Sequence, residues 1–477
     1  IKKYNSSLDQ WECSNGFMIN EENGFLSIDS YETTTIFILD KLLKYSKMSN
    51  RGQRESNLRY LRQCNINFED PLKKIALQKL FVNSQVMLIY GAAGTGKTTL
   101  INYISNMMNQ SKKLFLTKTH TALQNLERRI ENPGIDSDFI SIDSFTKTIT
   151  LTDYDIVFVD ECSTIDNRTM KRLLEKIDES TLLVLAGDIY QIESIDFGNW
   201  FYYAKDIIKT DGANVELLNT WRTDKKELKG LWDEVRKIQP IITEKLAIDG
   251  PFSADIGEEI FISQDKDEIV LCLNYDGKFG LNNMNLYFQN ANTKSEVYTW
   301  AEWTFKVGDP VIFLDTQRSP LLYNNLKGRI VDISKRDSAI LFTLDIDTIL
   351  TERQCRNESF EFVDVTDFGT RIRLEVVAND DELATEEERI KTIIPFQIAY
   401  AVSIHKAQGL EYNSVKIIIP SYNAEKISHS IFYTAITRAK EKLKIFWSAE
   451  TMKTVVESFD KEKNGQRTLE VIEKKLK

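Results

Sequence analysis

Residues 86–100 read VMLIYGAAGTGKTTL, and this stretch decides the fold. Val86, Met87, Leu88, Ile89 and Tyr90 make an apolar, β-rich run that breaks into Gly91, Ala92, Ala93, Gly94, Thr95, Gly96, Lys97, Thr98 and Thr99, after which Leu100, Ile101, Ile104 and Met107 recur at helical spacing. Strand, glycine loop and helix in that order predict a P-loop. Glycines at 91, 94 and 96 let the backbone turn successive N–H groups onto a polyphosphate that a Cβ would keep away. The positive end of the following helix adds to the attraction. Lys97 supplies a cation for the β- and γ-phosphates, and the Thr98 hydroxyl is placed to ligate Mg²⁺. Alone, the motif implies that a nucleoside triphosphate is bound and nothing more.

The chain around it has 477 residues, room for about two to four domains. Its 42% hydrophobic and 28% charged content is that of ordinary globular proteins. It holds no long apolar run and no signal-like start, so a cytoplasmic protein without a membrane partner is expected. Starting at Ile1 rather than Met, it reads as part of a longer protein with upstream domains or a protein partner. Cys13, Cys64, Cys162, Cys272 and Cys355 form no C-x-x-C pair, which argues against disulfide frameworks and zinc sites. The net charge of −10 excludes polyanion binding through bulk charge. Residues 71–150, with ten Lys/Arg against five Asp/Glu, are the basic stretch where a local nucleic-acid track is expected. Residues 351–392 carry six basic and twelve acidic side chains and read as a solvated face.

Further apolar runs at 114–116, 156–159, 182–186 and 215–218 alternate with helical patterns, which predicts an α/β fold with a parallel, doubly wound sheet. Polar motifs follow these runs, at the strand ends where such sheets bind ligands. Asp160-Glu161 follows IVFV: one carboxylate suits Mg²⁺ and its neighbour suits activation of the attacking water. Gln191 follows the run at 182–186, in GDIYQ, as a group able to sense the γ-phosphate. Short β-rich runs between 308 and 376 predict a small inserted β-barrel, set at 316–392. Residues 1–70 show one helical segment at 35–45 and no legible motif, and are assigned as an accessory region; 451–477 read as a charged helix.

With GAAGTGKTT, LTKTHTALQNL, DECS, LAGDIYQI, TWRT, SIHKAQGLEY and FYTAITRAK in that order, residues 71–450 resemble superfamily 1 helicases. Gln408-Gly409, and a glycine-aspartate motif without the GDDDQS form, resemble the RecD-like, superfamily 1B branch. The resemblance implies two RecA-like P-loop lobes (71–225, then 226–315 with 393–450), an SH3-like barrel in the second, and ATP with Mg²⁺ between the lobes. It implies that Lys97, Asp160, Glu161, Gln191, Arg222 and Arg438 serve hydrolysis, with Thr98 and Asp160 at the metal and Gly409 and Glu411 also at ATP. Thr119, His120, Ser144, Phe145 and His405 match positions that touch single-stranded nucleic acid, DNA favoured over RNA, with 5′-to-3′ movement implied. For Phe145, core packing is an equal expectation. Two departures stand out. The hairpin that splits duplexes in RecD-like helicases has only nine residues, 146–154, in which to fit, and Gln78 and Gln85 both lie closer to the loop than an adenine-reading glutamine should.

Overall fold

The computed structural model describes all residues except 23, 50–52, 64–69, 135, 149–152, 195, 249, 294–295, 315–317, 379–385, 460–463 and 477. Cys64, the centre of the 146–154 segment and the acidic run from 380 therefore lie outside the described residues. The chain forms two units, Ile1–Gly230 with Ser458–Lys477, and Leu231–Glu457.

The first unit is built on six strands: β1 (Val86–Gly91), β2 (Lys113–Thr117), β3 (Ser137–Ser141), β4 (Ile156–Val159), β5 (Leu182–Gly187) and β6 (Asn214–Leu217). All pairings are parallel, in the order β3-β2-β4-β5-β1-β6. Parallel strands need crossovers that cover both faces, which is why β1, β4 and β5 read as unbroken apolar runs and are buried throughout. Alternation along β1 sends Val86, Leu88 and Tyr90 into one core and Met87 and Ile89 into the other.

The second of these cores is closed by α2 (Pro71–Lys79) and α3 (Lys97–Met107), through Ala76, Leu77, Leu100, Ile101 and Ile104, and by Leu126 of α4 (His120–Arg129). The first core brings a correction. The helix α1 (Asp29–Tyr45) is longer than the predicted 35–45 segment, and Ile38, Leu39, Leu42 and Tyr45 pack with Met170, Leu173 and Leu174 of α6 (Asn167–Lys176) and with Ile472 of the C-terminal helix Asn464–Leu476. Its apolar stripe shows that something is covered but cannot say what, so only the fold reveals the partner. Leu42→Ala is expected to destabilise this unit by about 2–5 kcal/mol, measured by urea unfolding.

The second unit carries five parallel strands, β7 (Ser253–Ala254), β8 (Glu268–Cys272), β15 (Ala401–Ser403), β16 (Tyr412–Ile418) and β17 (Ala439–Phe446), in the order β15-β8-β16-β17-β7. Between β8 and β15 lies the insertion. Its strands are β9 (Pro310–Phe313), β10 (Lys327–Lys335), β11 (Ala339–Ile346), β12 (Glu361–Thr366), β13 (Gly369–Val377) and β14 (Phe396–Ile398). They pair antiparallel throughout, in the order β12-β13-β11-β10-β9-β14, over their own core of Phe313, Phe342, Leu344, Ile372 and Phe396. The insertion extends beyond 316–392 at both ends, and among the described residues no ladder joins β12 to β14, so the pairing is that of an open sheet where a closed barrel was expected. β12 is largely exposed along its length and stands at the sheet's edge. No helix among the described residues is long and apolar enough to cross a membrane.

Candidate nucleotide site and nucleic-acid contacts

In the first unit β1 lies between β5 and β6, and β4 is one strand further on. This order brings the loop after β1, Asp188 after β5, and Asp160-Glu161 after β4 to one edge of the sheet, at the carboxyl ends. Gly94 and Gly96 take left-handed backbone, φ +75° and +82°, and α3 begins directly at Lys97. A Cβ on Gly94 would overlap the Arg222 side chain, and one on Gly96 the Lys73 ammonium. The Trp221 N–H donates to the Gly94 carbonyl at 2.7 Å, so the TWRT segment is clasped onto the loop and Arg222 is held beside it. The Lys97 Nζ donates to the carbonyls of Gly91 and Ala92 at 2.8 and 3.2 Å. These neutral acceptors yield to phosphate oxygens, whose charge-assisted bonds are about twice as strong.

The acidic pair is joined directly to the loop helix. Thr98 Oγ1 donates to Asp160 Oδ2 at 3.1 Å, and the Glu161 N–H donates to Asp160 Oδ1 at 2.8 Å. Burial, and then the neighbouring Glu161 charge, push the Asp160 carboxyl up to about 6, against the pull of Lys97 and these two bonds. Glu161 itself has φ +55°, a conformation that costs a residue other than glycine about 1–3 kcal/mol and clusters at functional sites. Its Oε2 is buried without a hydrogen-bond partner among the described residues. Gln191, 4% exposed, donates through Nε2 to Asp188 Oδ2 at 3.1 Å, and burial raises Asp188 above the usual carboxylate range.

The Thr98 hydroxyl, the Asp160 carboxylate once ionised and the Glu161 carboxylate oxygen are the hard oxygen donors that Mg²⁺ prefers. A raised carboxyl opposes folding as it ionises, so its contribution to the stability of the metal-free protein falls between pH 3.8 and about 6. Cation affinity runs the other way. It is expected to fall about tenfold per pH unit below about pH 6, as measured by calorimetric Mg²⁺ titration of the nucleotide-free protein.

Other assigned residues divide. Thr119 is exposed and caps α4 through Ala122 N at 3.2 Å, and His120 is exposed as the first residue of that helix. Ser144 is exposed on α5 (Ile142–Lys147), where its hydroxyl accepts from Ser141 Oγ at 2.8 Å. Phe145, one residue on, is 3% exposed and lies in the first core, the packing alternative of its two expected roles. The turn of the short helix that points Ser144 outward points Phe145 inward.

In the second unit, His405 is exposed, and Gly409 has φ +79° with open space where a Cβ would stand. Glu411 is ion-paired with Lys440 at 3.3 Å. Arg438 differs most from expectation. It is 1% exposed, and its guanidinium donates to Thr434 O at 3.0 Å, Leu410 O at 3.2 Å and Thr437 Oγ1 at 3.2 Å. Gln85 precedes β1 at the end opposite the loop, and its N–H donates to Tyr45 O. Two neighbours of the loop went unread in the sequence: buried Lys73, which sits in an apolar helical pattern, and Trp221, 47% exposed beside the arginine that drew attention to TWRT.

Two family models match the chain: the AAA domain over residues 73–248 and the UvrD-like helicase C-terminal domain over 398–445. The RecBCD enzyme subunit RecD of Buchnera aphidicola (subspecies Acyrthosiphon pisum) is 22% identical over 446 residues, covering 80% of this chain and 72% of that one. RecD of Mycolicibacterium smegmatis is 22% identical over 334 residues, covering 64% and 52%. Among solved structures, Bacteroides Pif1 bound to ssDNA aligns at 16% identity, 81% and 94% coverage and a TM-score of 0.47. Together with the motif series, the family models and the RecD relatives bear out the resemblance to superfamily 1 helicases. Within that class the resemblance is to the RecD-like branch.

Proposed function

We infer that the chain is an ATP-dependent DNA helicase motor that moves 5′ to 3′ along single-stranded DNA. The observation that carries this reading is the joined group at the ends of β1 and β4: the loop lysine, the Thr98–Asp160 hydrogen bond at 3.1 Å, and Glu161 in left-handed backbone with a buried, unpartnered oxygen. Lys97 exchanges its loop carbonyls for phosphate oxygens. Thr98 and Asp160 would hold Mg²⁺, which when bound neutralises phosphate charge. Glu161 accepts the proton of the attacking water, and Gln191, tethered to Asp188, is the polar group placed to register the γ-phosphate. Arg222, held beside Gly94, faces the same loop. Thr119, His120, Ser144 and His405 offer hydroxyls and imidazoles to phosphates, contacts that hold a strand without reading its sequence. That the RecD relatives are subunits of the RecBCD enzyme supports a protein partner.

ATPase rates with single-stranded DNA, single-stranded RNA and no polymer test the substrate, and streptavidin displacement from either oligonucleotide end tests the movement. Stimulation by DNA with displacement from the 3′ end is expected. Stimulation without displacement from either end would instead make the chain a nucleotide-gated sensor, and equal stimulation by RNA would remove the preference for DNA.

A further inference from the structure

The first unit holds a cavity of about 750 Å³ that shares no lining residue with the nucleotide loop. Its walls are fixed by backbone. The segment around Gly16 is folded onto the start of α1, with Ser30 N donating to Gly16 O at 2.8 Å and Asp29 N to Met18 O at 2.9 Å. On the other side Asn167 N, at the start of α6, donates to Phe197 O at 3.0 Å. These walls present aromatic faces to solvent: Trp11 is 66% exposed, and Tyr31 and Phe197 stack with centroids 4.2 Å apart and planes at 7°, both partly exposed.

The floor is α6, which contributes Arg168 and Arg172 four residues apart, hence on one face and about 5–6 Å apart at Cβ. Both residues are exposed and, among the described residues, make no ion pair or protein hydrogen bond, whereas Lys171 between them is paired with Glu175. Of the three carboxylates lining the cavity, Asp166 is answered by Lys118 at 3.3 Å and by Thr169, Asp29 accepts from Asn20 at 3.0 Å, and Asp196 completes the set. Lys118 also reaches Asp143 at 3.0 Å, so one side chain ties the cavity rim to the neighbours of Thr119 and Ser144. Exposed rings beside donor-only guanidiniums match a base on one side and phosphate on the other, and Lys118, paired with Asp166 of the cavity lining, is the residue before Thr119.

We propose that this cavity is a further subsite for single-stranded nucleic acid, in which Arg168 and Arg172 hold phosphates and the rings of Trp11 and Tyr31 take unstacked bases. The proposal rests on the reading of the chain as a nucleic-acid motor. Its test is the affinity of the full chain for fluorescent oligo-dT of increasing length between 50 and 200 mM salt. Loss of two phosphate contacts in the Arg168→Ala/Arg172→Ala double variant should lower the magnitude of the log–log salt slope by about 1.4 for the longer oligonucleotides. Tyr31→Ala should weaken them about tenfold with the slope kept, while Tyr31→Phe, which retains the ring, should match the unaltered chain. Melting temperatures separate these effects from misfolding. If affinity and slope stay unchanged at every length while the unaltered chain binds DNA, the cavity is no strand subsite and the motor reading survives. If the variants bind DNA normally and lose only a protein partner, the surface belongs to that partner and the proposal fails. An unaltered chain that binds no strand removes the motor reading itself.

Discussion

Glu161→Gln is expected to keep nucleotide on the protein while lowering ATP turnover by ~10²–10⁴-fold, the usual worth of a positioned general base. The carboxylate follows β4 in left-handed backbone and keeps one buried oxygen unpartnered, an arrangement that costs stability and is repaid only when that oxygen finds a proton to accept. Glutamine preserves shape and the capacity to touch water but cannot take its proton. Fluorescent-nucleotide affinity and steady-state ATPase, each with and without DNA, separate the two roles. Unimpaired turnover would place the base elsewhere, and lost binding would show that Glu161 shapes the pocket.

Arg438→Ala should lower turnover by ~10³–10⁵-fold if the arginine acts on the transferring phosphoryl group, as the family resemblance implies. Its burial adds a second effect that the motif alone does not disclose. Truncation takes the guanidinium from Leu410 O in the interior of the second unit, at about 1–3 kcal/mol for an acceptor left unsatisfied, while Thr434 O and Thr437 Oγ1 keep the 3.0 Å bond between them. Melting temperature is therefore measured beside turnover, and Arg438→Lys, which retains the charge but not the planar fork, is compared. A variant that melts earlier yet turns over normally makes Arg438 a structural residue alone.

Much of this was legible because strands buried on both faces have to be apolar from end to end. The runs at 156–159 and 182–186 gave β4 almost to the residue and β5 short by one, and their following polar residues marked the sheet edge where the site lies. The edge strand β3, SDFIS, is half exposed and carries no such run, so it escaped notice. Spacing locates a helix but does not name what it covers, which hid α1 inside the first core. Neither could a motif letter distinguish Ser144 from Phe145, or an exposed arginine from one buried to 1%. The cavity beside α6 is assembled from residues 11–34, 166–172 and 196–197, segments too far apart in sequence to suggest one another.

The first unit contains both the beginning and the end of this chain, so the second is joined to it at two covalent crossings, near residues 230 and 457. Each crossing falls within or at the end of a helix, Lys226–Arg236 and Ala449–Ser458. Because Ile472 belongs to the same core as Ile38 and Leu42, the first unit is completed only when the chain returns from the second, which makes its closure a long-range contact of high loop-closure cost.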